Sequence, residues 1–159
     1  MKGLISVVLL ATLFCFTSAC QNNSKLAEKG NAAKKDIETA ADNLATAISG
    51  LNPEEVTGLF SNVDGTKYIS DGAFIPRDGL KDAFREFYGT LKEMHFAFEK
   101  KEIQVLSHDV AVLTSWAHYT AITREGQNID ERAIFTSVYL RVDGKWSIFQ
   151  AHKSLIKKP

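Results

Sequence analysis

The sequence predicts an α+β domain in which helices come first and an antiparallel meander follows. Three observations carry this. Ile37, Ala40, Ala41, Leu44 and Ile48 recur at three- and four-residue steps, giving one apolar helical stripe. After Met94 the pattern changes to long alternating runs. Val142-Asp143-Gly144-Lys145 joins the last two runs with a hairpin signal, because glycine supplies the positive φ that such turns need. Composition agrees with a single folded unit. The chain has 159 residues, 45% of them hydrophobic, which is enough for one domain with a sizeable core. Lys+Arg 19 balances Asp+Glu 19, so no broad phosphate-binding surface and no nucleic-acid partner is expected.

The N-terminus carries an address. Lys2, the apolar run from Leu4 to Phe16 and the small residues before Cys20 have the layout of a secretory signal peptide over residues 1–19. The run is shorter than the roughly 20 apolar residues a membrane span needs. Cys20 after Ser18 and Ala19 resembles a bacterial lipobox, which implies acylation of its thiol. Ordinary cleavage after Ala19 is the plainer alternative. With lipid on Cys20, residues 20–34 become a tether, the domain begins at residue 35, and its place is the bacterial cell envelope, facing the periplasm. Cys15 leaves with the signal and Cys20 is blocked, so no thiol remains for catalysis or metal binding.

Within residues 35–159, Gly50 is a plausible stop for the first helix. Asn52-Pro53-Glu54-Glu55 restarts a short one, with Asn as N-cap, Pro in the first turn and acids at the positive dipole end. Residues 64–79, punctuated by glycine and proline, read as a hairpin around Tyr68-Ile69 and Phe74-Ile75. Leu80, Phe84, Phe87, Tyr88 and Leu91 predict a third helix over about 78–93. Four strands follow at 95–106, 110–124, 129–142 and 145–155.

This element order, and the closing stretch YLRVDGKWSIFQAHKS from Tyr139 to Ser154, resembles the nuclear transport factor 2-like (SnoaL-like) superfamily. Asn43 to Ser49, NLATAIS, is similar to the first helix of the calcium/calmodulin-dependent kinase II association domain, a member of that group. The resemblance covers residues 35–156. It implies three N-terminal helices packed on a strongly curved antiparallel sheet that leaves a cone-shaped pocket, and homodimers formed through the sheet's other face. It does not imply one activity, since the superfamily holds isomerases, dehydratases, cyclases, scaffolds and ligand-binding modules.

Pocket chemistry then depends on strand parity. A two-residue turn at Gly126-Gln127 pairs Trp116 with Ser137 and His118 with Phe135. A three-residue turn at Val142-Asp143-Gly144 sets Ser137 opposite Phe149. The expected pocket face is then Trp116, His118, Phe135, Ser137, Tyr139, Phe149, Ala151 and Lys153, with Tyr68 and Phe98 nearby. The other face takes Arg132, Thr136, Val138, Leu140, Trp146, Ile148, Gln150 and His152, with Trp146 packed against Leu140 and a partner subunit. A two-residue turn at Asp143-Gly144 moves Gln150 and His152 into the pocket set, and a one-residue slip exchanges the faces.

Lys153 is either a pocket cation or a solvated strand-end lysine; in the kinase association domain the matching residue is an arginine pointing into the pocket. His118 is either a half-buried structural residue or, with Tyr139 as donor, the base of a proton-transfer site. The carboxylates Asp64, Asp71, Asp130 and Glu131 are not obviously central. His95, His108, His118 and His152 show no metal-ligand spacing, and neither a phosphate loop nor a nucleophile elbow is present, so no metal or cofactor is expected. The expected function is a membrane-anchored small-molecule-binding or scaffolding domain whose apolar cone takes a small apolar or anionic molecule. The alternative is an isomerase, dehydratase or cyclase of the SnoaL or ketosteroid isomerase type using His118.

Overall fold

A computed structural model describes residues 30–157. The signal peptide, Cys20 and most of the tether lie outside the described residues. The chain divides into two compact units, residues 1–33 and 34–159, and the fold below is that of the second.

Helix α1 (30–49) buries Ile37 and Ala41 of the stripe that the sequence predicts and half-buries its Ala40, Leu44 and Ile48, with Ala47 buried beside them. Helix α2 (Pro53–Gly58) is one short turn of chain, started by Asn52, whose Oδ1 accepts the Glu55 N–H at 3.1 Å. Strands β1 (Lys67–Ser70) and β2 (Ala73–Pro76) form the expected hairpin. A 3-10 turn at Arg77–Gly79 leads into α3 (Leu80–Gly89). Then come β3 (Leu91–Val105), β4 (Val110–Thr123), β5 (Asn128–Val142) and β6 (Lys145–Leu155).

Two expectations need correction here. Of the three expected helices only α1 and α3 are long, α2 being the short one already expected, and α3 ends before residue 93 because Leu91 already begins β3. Leu91 is buried at 1% exposure as a strand residue, so its place in the helical stripe was a coincidence of periodicity. The sheet is also mixed. It runs β2-β1-β6-β5-β4-β3, curled, with every neighbouring pair antiparallel except β1 and β6. Hydrophobic alternation within a strand does not encode which partner it meets, so the parallel pair left no trace in the sequence.

The core lies on the sheet's inner face, where Leu80 and Tyr88 of α3 join Ile37 and Ala41 of α1 against Leu91, Leu113, Tyr139 and Ile148. Strand β4 shows the alternation plainly: Ala111, Leu113, Ser115, Ala117, Tyr119 and Ala121 are buried, and the residues between them are not.

Turn lengths decide which side chains share that face. The β4–β5 loop has three residues, Arg124 to Gly126, closed by a bond from the Thr123 N–H to the Gln127 carbonyl at 2.9 Å. Gly126 takes the final, positive-φ position at 85°. Trp116 therefore faces Ile134 rather than Ser137, and His118 faces Arg132 rather than Phe135. At the β5–β6 end the turn has two residues, Asp143 and Gly144, at φ 50° and 79°. That turn alone would swing Gln150 and His152 inward. A bulge at Phe149 removes the shift, since Tyr139 pairs with Ile148 while Val138 pairs with Gln150. Ala151 opposes Ser137 and Lys153 opposes Phe135. Lys153, Ala151, Phe135, Ser137 and Tyr139 thus share one face.

Candidate ligand cavity

A cavity of 280 Å³ opens between α1, the β1–β2 hairpin, α3 and the inner face of the sheet. Each element supplies a wall for its own reason. Helix α3 has a wide apolar face, so Phe84, Phe87 and Tyr88 project together, and Phe84 stacks on Tyr88 at 5.8 Å between ring centroids. The hairpin brings Tyr68, Ser70, Ala73 and Ile75. Tyr68 meets Phe84 at 5.7 Å and Phe60 edge-on at 6.5 Å. The sheet contributes Met94, Phe96, Tyr119, Phe135 and Lys153, and α1 contributes Ile48. Phe96 and Phe135 meet edge to face at 5.7 Å, the arrangement that ring quadrupoles favour.

Polar groups in this wall are few, and Lys153, Ser70 and Tyr119 are already paired. Lys153 Nζ lies 3.0 Å from Asp71 Oδ2, with the lysine side chain only 18% exposed. The Ser70 hydroxyl donates to the same Asp71 oxygen at 3.0 Å. Burial by itself would raise the Asp71 carboxyl, but Lys153, Ser70 and the Leu155 N–H together hold it below its ordinary value. The Tyr119 hydroxyl donates a hydrogen bond to Glu131 Oε2. Burial, reinforced by that carboxylate, keeps the Tyr119 phenol well above the usual tyrosine range. Burial likewise pushes Tyr68 up to about 12. At neutral pH the cavity therefore presents neutral phenols and one neutralised cation.

Among the residues expected at the pocket, the structure brings Tyr68, Phe135 and Lys153 to the cavity wall. Phe98 sits behind it, edge-on to Phe96 at 5.0 Å and to Phe135 at 6.3 Å. Ser137 and Tyr139 share the inner face but are buried in the core at 4% and 1% exposure. Phe149, displaced by its own bulge, packs beside Gly65.

The expected placement of Trp116 and His118 is corrected: the three-residue loop at Arg124–Gly126 turns both to the outer face. Trp116 lies under the Lys100 ammonium at 4.6 Å, and His118 Nε2 lies 2.8 Å from Asp130 Oδ1. His118 and Tyr139 consequently cannot act as one base-and-donor pair. Trp146 and Ile148 move the opposite way, to the inner face. There Trp146 packs on the core beneath Arg141, whose guanidinium lies 4.9 Å from the indole and bonds to Asp36 at 3.3 Å.

Sequence reasoning missed Tyr119, Phe96 and the α3 aromatics. Phe96 carries the same parity as Phe98 and was available by that signal. Tyr119 was hidden by the loop length. A second, wider hollow of 700 Å³, lined by His118, Asp130, Glu131, Arg132 and residues 155–157, adjoins the end of β6. No group of three residues able to hold a metal ion occurs among the described residues.

Residues 37–157 match the family model of the SnoaL-like domain. The chain belongs to that family. Solved structures share its nuclear transport factor 2-like architecture. This SnoaL-like domain superposes with a TM-score of 0.71 and 21% identity on a nuclear transport factor 2-like superfamily protein from Salmonella enterica serovar Typhimurium, covering 80% of this chain and 94% of that one. Hexachlorocyclohexane dehydrochlorinase LinA-type3 from Novosphingobium barchaimii gives 0.73 at 14% identity, over 82% and 91% of the two chains. A candidate scytalone dehydratase from Novosphingobium aromaticivorans gives 0.76 at 14%, over 82% and 89%. Identities this low establish the fold and leave the activity open. A sequence search of curated proteins finds no match.

Proposed function

We propose that this SnoaL-like domain binds a compact, largely apolar small molecule in the cavity between α3, the β1–β2 hairpin and the inner sheet face. One observation carries the reading: seven aromatic rings converge there, and the lone wall cation is already neutralised by Asp71. Such a surface offers apolar contact to the body of a ligand and a few fixed polar groups at one end. A volume of 280 Å³ sits at the lower edge of small-molecule sites, which suits a molecule of one or two fused rings.

The test is titration calorimetry with 1-naphthamide, a neutral two-ring probe. Wild-type protein is expected to bind it, and Ala83→Trp, which fills the cavity from α3, to lose about tenfold or more in affinity. Equal binding by both proteins overturns the reading.

The setting we propose is a membrane surface, with lipid on Cys20 holding the domain at the cell envelope on the periplasmic side. Radiolabelled palmitate incorporation that Cys20→Ala abolishes is the expected result, and an unlabelled wild-type protein contradicts it. We also propose a homodimer through the outer face of the sheet, where Val112, Trp116, Ile134 and Val138 are only half-buried in the single chain. Sedimentation of the wild type and of Ile134→Lys checks this, the variant being expected to run as a monomer.

An enzymatic reading of the cavity loses His118, which faces away. The acid–base candidate at the wall is Tyr119, whose hydroxyl donates to Glu131, a residue outside that wall. The names of two structural neighbours, a dehydrochlorinase and a dehydratase, give that reading its interest. Turnover that survives His118→Ala and fails in Glu131→Gln would establish it.

A further inference from the structure

Lys153 occupies an unusual place. Its side chain forms part of the cavity wall, yet its ammonium is paired with a carboxylate that is not part of that wall. Asp71 reaches it from outside, from the tip of the β1–β2 hairpin, and its side chain is 39% exposed against 18% for Lys153. The tip is held tightly. Asp71 sits at φ 49° and Gly72 at φ 91°. Asp71 Oδ2 takes Lys153 and the Ser70 hydroxyl, Oδ1 takes the Leu155 N–H at 3.3 Å, and the Asp71 N–H donates to the Lys153 carbonyl at 3.4 Å. The same hairpin supplies Tyr68, Ser70, Ala73 and Ile75 to the wall. One carboxylate thus neutralises the cavity's cation and fastens one of its sides.

We propose that Asp71 is a built-in competitor, standing where the carboxylate of an aromatic monocarboxylate ligand binds. This rests on the cavity reading above and names the ligand class for it. Burying an ammonium without a partner is costly, so Lys153 needs an anion in both states. A ligand carboxylate entering from the cavity side supplies one, and the displaced Asp71, already two-fifths exposed, returns to water at small cost. Ser70, which lines the cavity and donates to Asp71, turns the same hydroxyl toward the incoming group. Charge is conserved at each step: one carboxylate replaces another on Lys153. Exchange also frees the Leu155 N–H and the hairpin tip, so a carboxylate ligand loosens β1–β2. A neutral ligand leaves the ion pair in place and stiffens the wall.

The experiment compares 1-naphthoate with 1-naphthamide by calorimetry on wild type, Asp71→Asn and Lys153→Met, with amide exchange followed at Leu155. Asp71→Asn is expected to tighten naphthoate about fivefold or more relative to naphthamide, because it removes the competitor for the Lys153 ammonium. Lys153→Met is expected to weaken naphthoate about tenfold more than it weakens naphthamide. Naphthoate should speed exchange at Leu155 while naphthamide slows it. If Asp71→Asn does not fold, Asp71→Ser carries the same expectation. Binding of naphthamide alone, an unchanged naphthoate affinity in Asp71→Asn, or protection of Leu155 by naphthoate overturns the exchange and leaves the cavity reading standing. Binding of neither molecule overturns both.

Discussion

Tyr119 and Glu131 stand directly opposite one another on β4 and β5, and the phenol donates its proton to the carboxylate from within the inner sheet face. The pair ties the cavity wall to the rim beyond it, and burial, reinforced by the Glu131 carboxylate, keeps the Tyr119 phenol protonated at neutral pH.

Alkaline stability should follow from this. The chain has four tyrosines, and all four phenols are raised, by burial first in every case: Tyr68 to about 12, and Tyr88, Tyr119 and Tyr139 higher still. A raised phenol favours the folded state fully below the unfolded value of about 10, and that contribution is lost as pH climbs through 10 toward the folded value. Melting temperature should therefore fall steeply above about pH 10, with phenolate absorbance appearing together with unfolding. A tyrosine that ionises near pH 10 in the folded protein would contradict the buried placement.

The hydroxyl of Tyr139 is buried with no hydrogen-bond partner among the described residues, at 1% exposure of the residue. Removing an unpaired buried polar group while keeping the ring should be neutral or stabilising by up to about 1 kcal/mol. Urea unfolding of Tyr139→Phe checks this. A loss of about 2 kcal/mol or more would mean the hydroxyl has a partner that matters.

Phe96 is 5% exposed and touches Phe98, Tyr119 and Phe135 through ring contacts of 5.0, 6.3 and 5.7 Å. Phe96→Ala should cost about 3–5 kcal/mol, because it removes the shared partner of the cluster and leaves a hole beside the cavity. Denaturant midpoints report it, and a cost under about 1 kcal/mol would show that the cluster repacks freely.

Much of the fold was legible in particular residues. Ile37, Ala41 and Ile48 announce α1 through a period that no strand can reproduce, and Asn52 caps α2 as its side chain dictates. The site was half legible. Lys153 and Phe135 were placed on one face correctly, although through two errors that offset: the turn at Asp143-Gly144 is one residue shorter than expected, and Phe149 bulges. Trp116 and His118 were lost to a single residue of loop length. Gly126 suits the last position of a three-residue turn as well as the first of a two-residue one, and the hydroxyl of Thr123 tips the choice by accepting the Gln127 N–H at 3.0 Å. The Asp71–Lys153 pair joins residues far apart in the chain, and neither carries any local mark of the other.

Amide chemical-shift mapping with 1-naphthamide on uniformly labelled protein tests the location of the site most directly. The cavity between α3, the hairpin and the inner sheet face predicts perturbations at Ile75, Ala83, Phe96, Tyr119 and Phe135 and none at Trp116, His118 or Arg132. Shifts concentrated on those last three residues, with the first five unmoved, would place the site on the outer face and contradict the account.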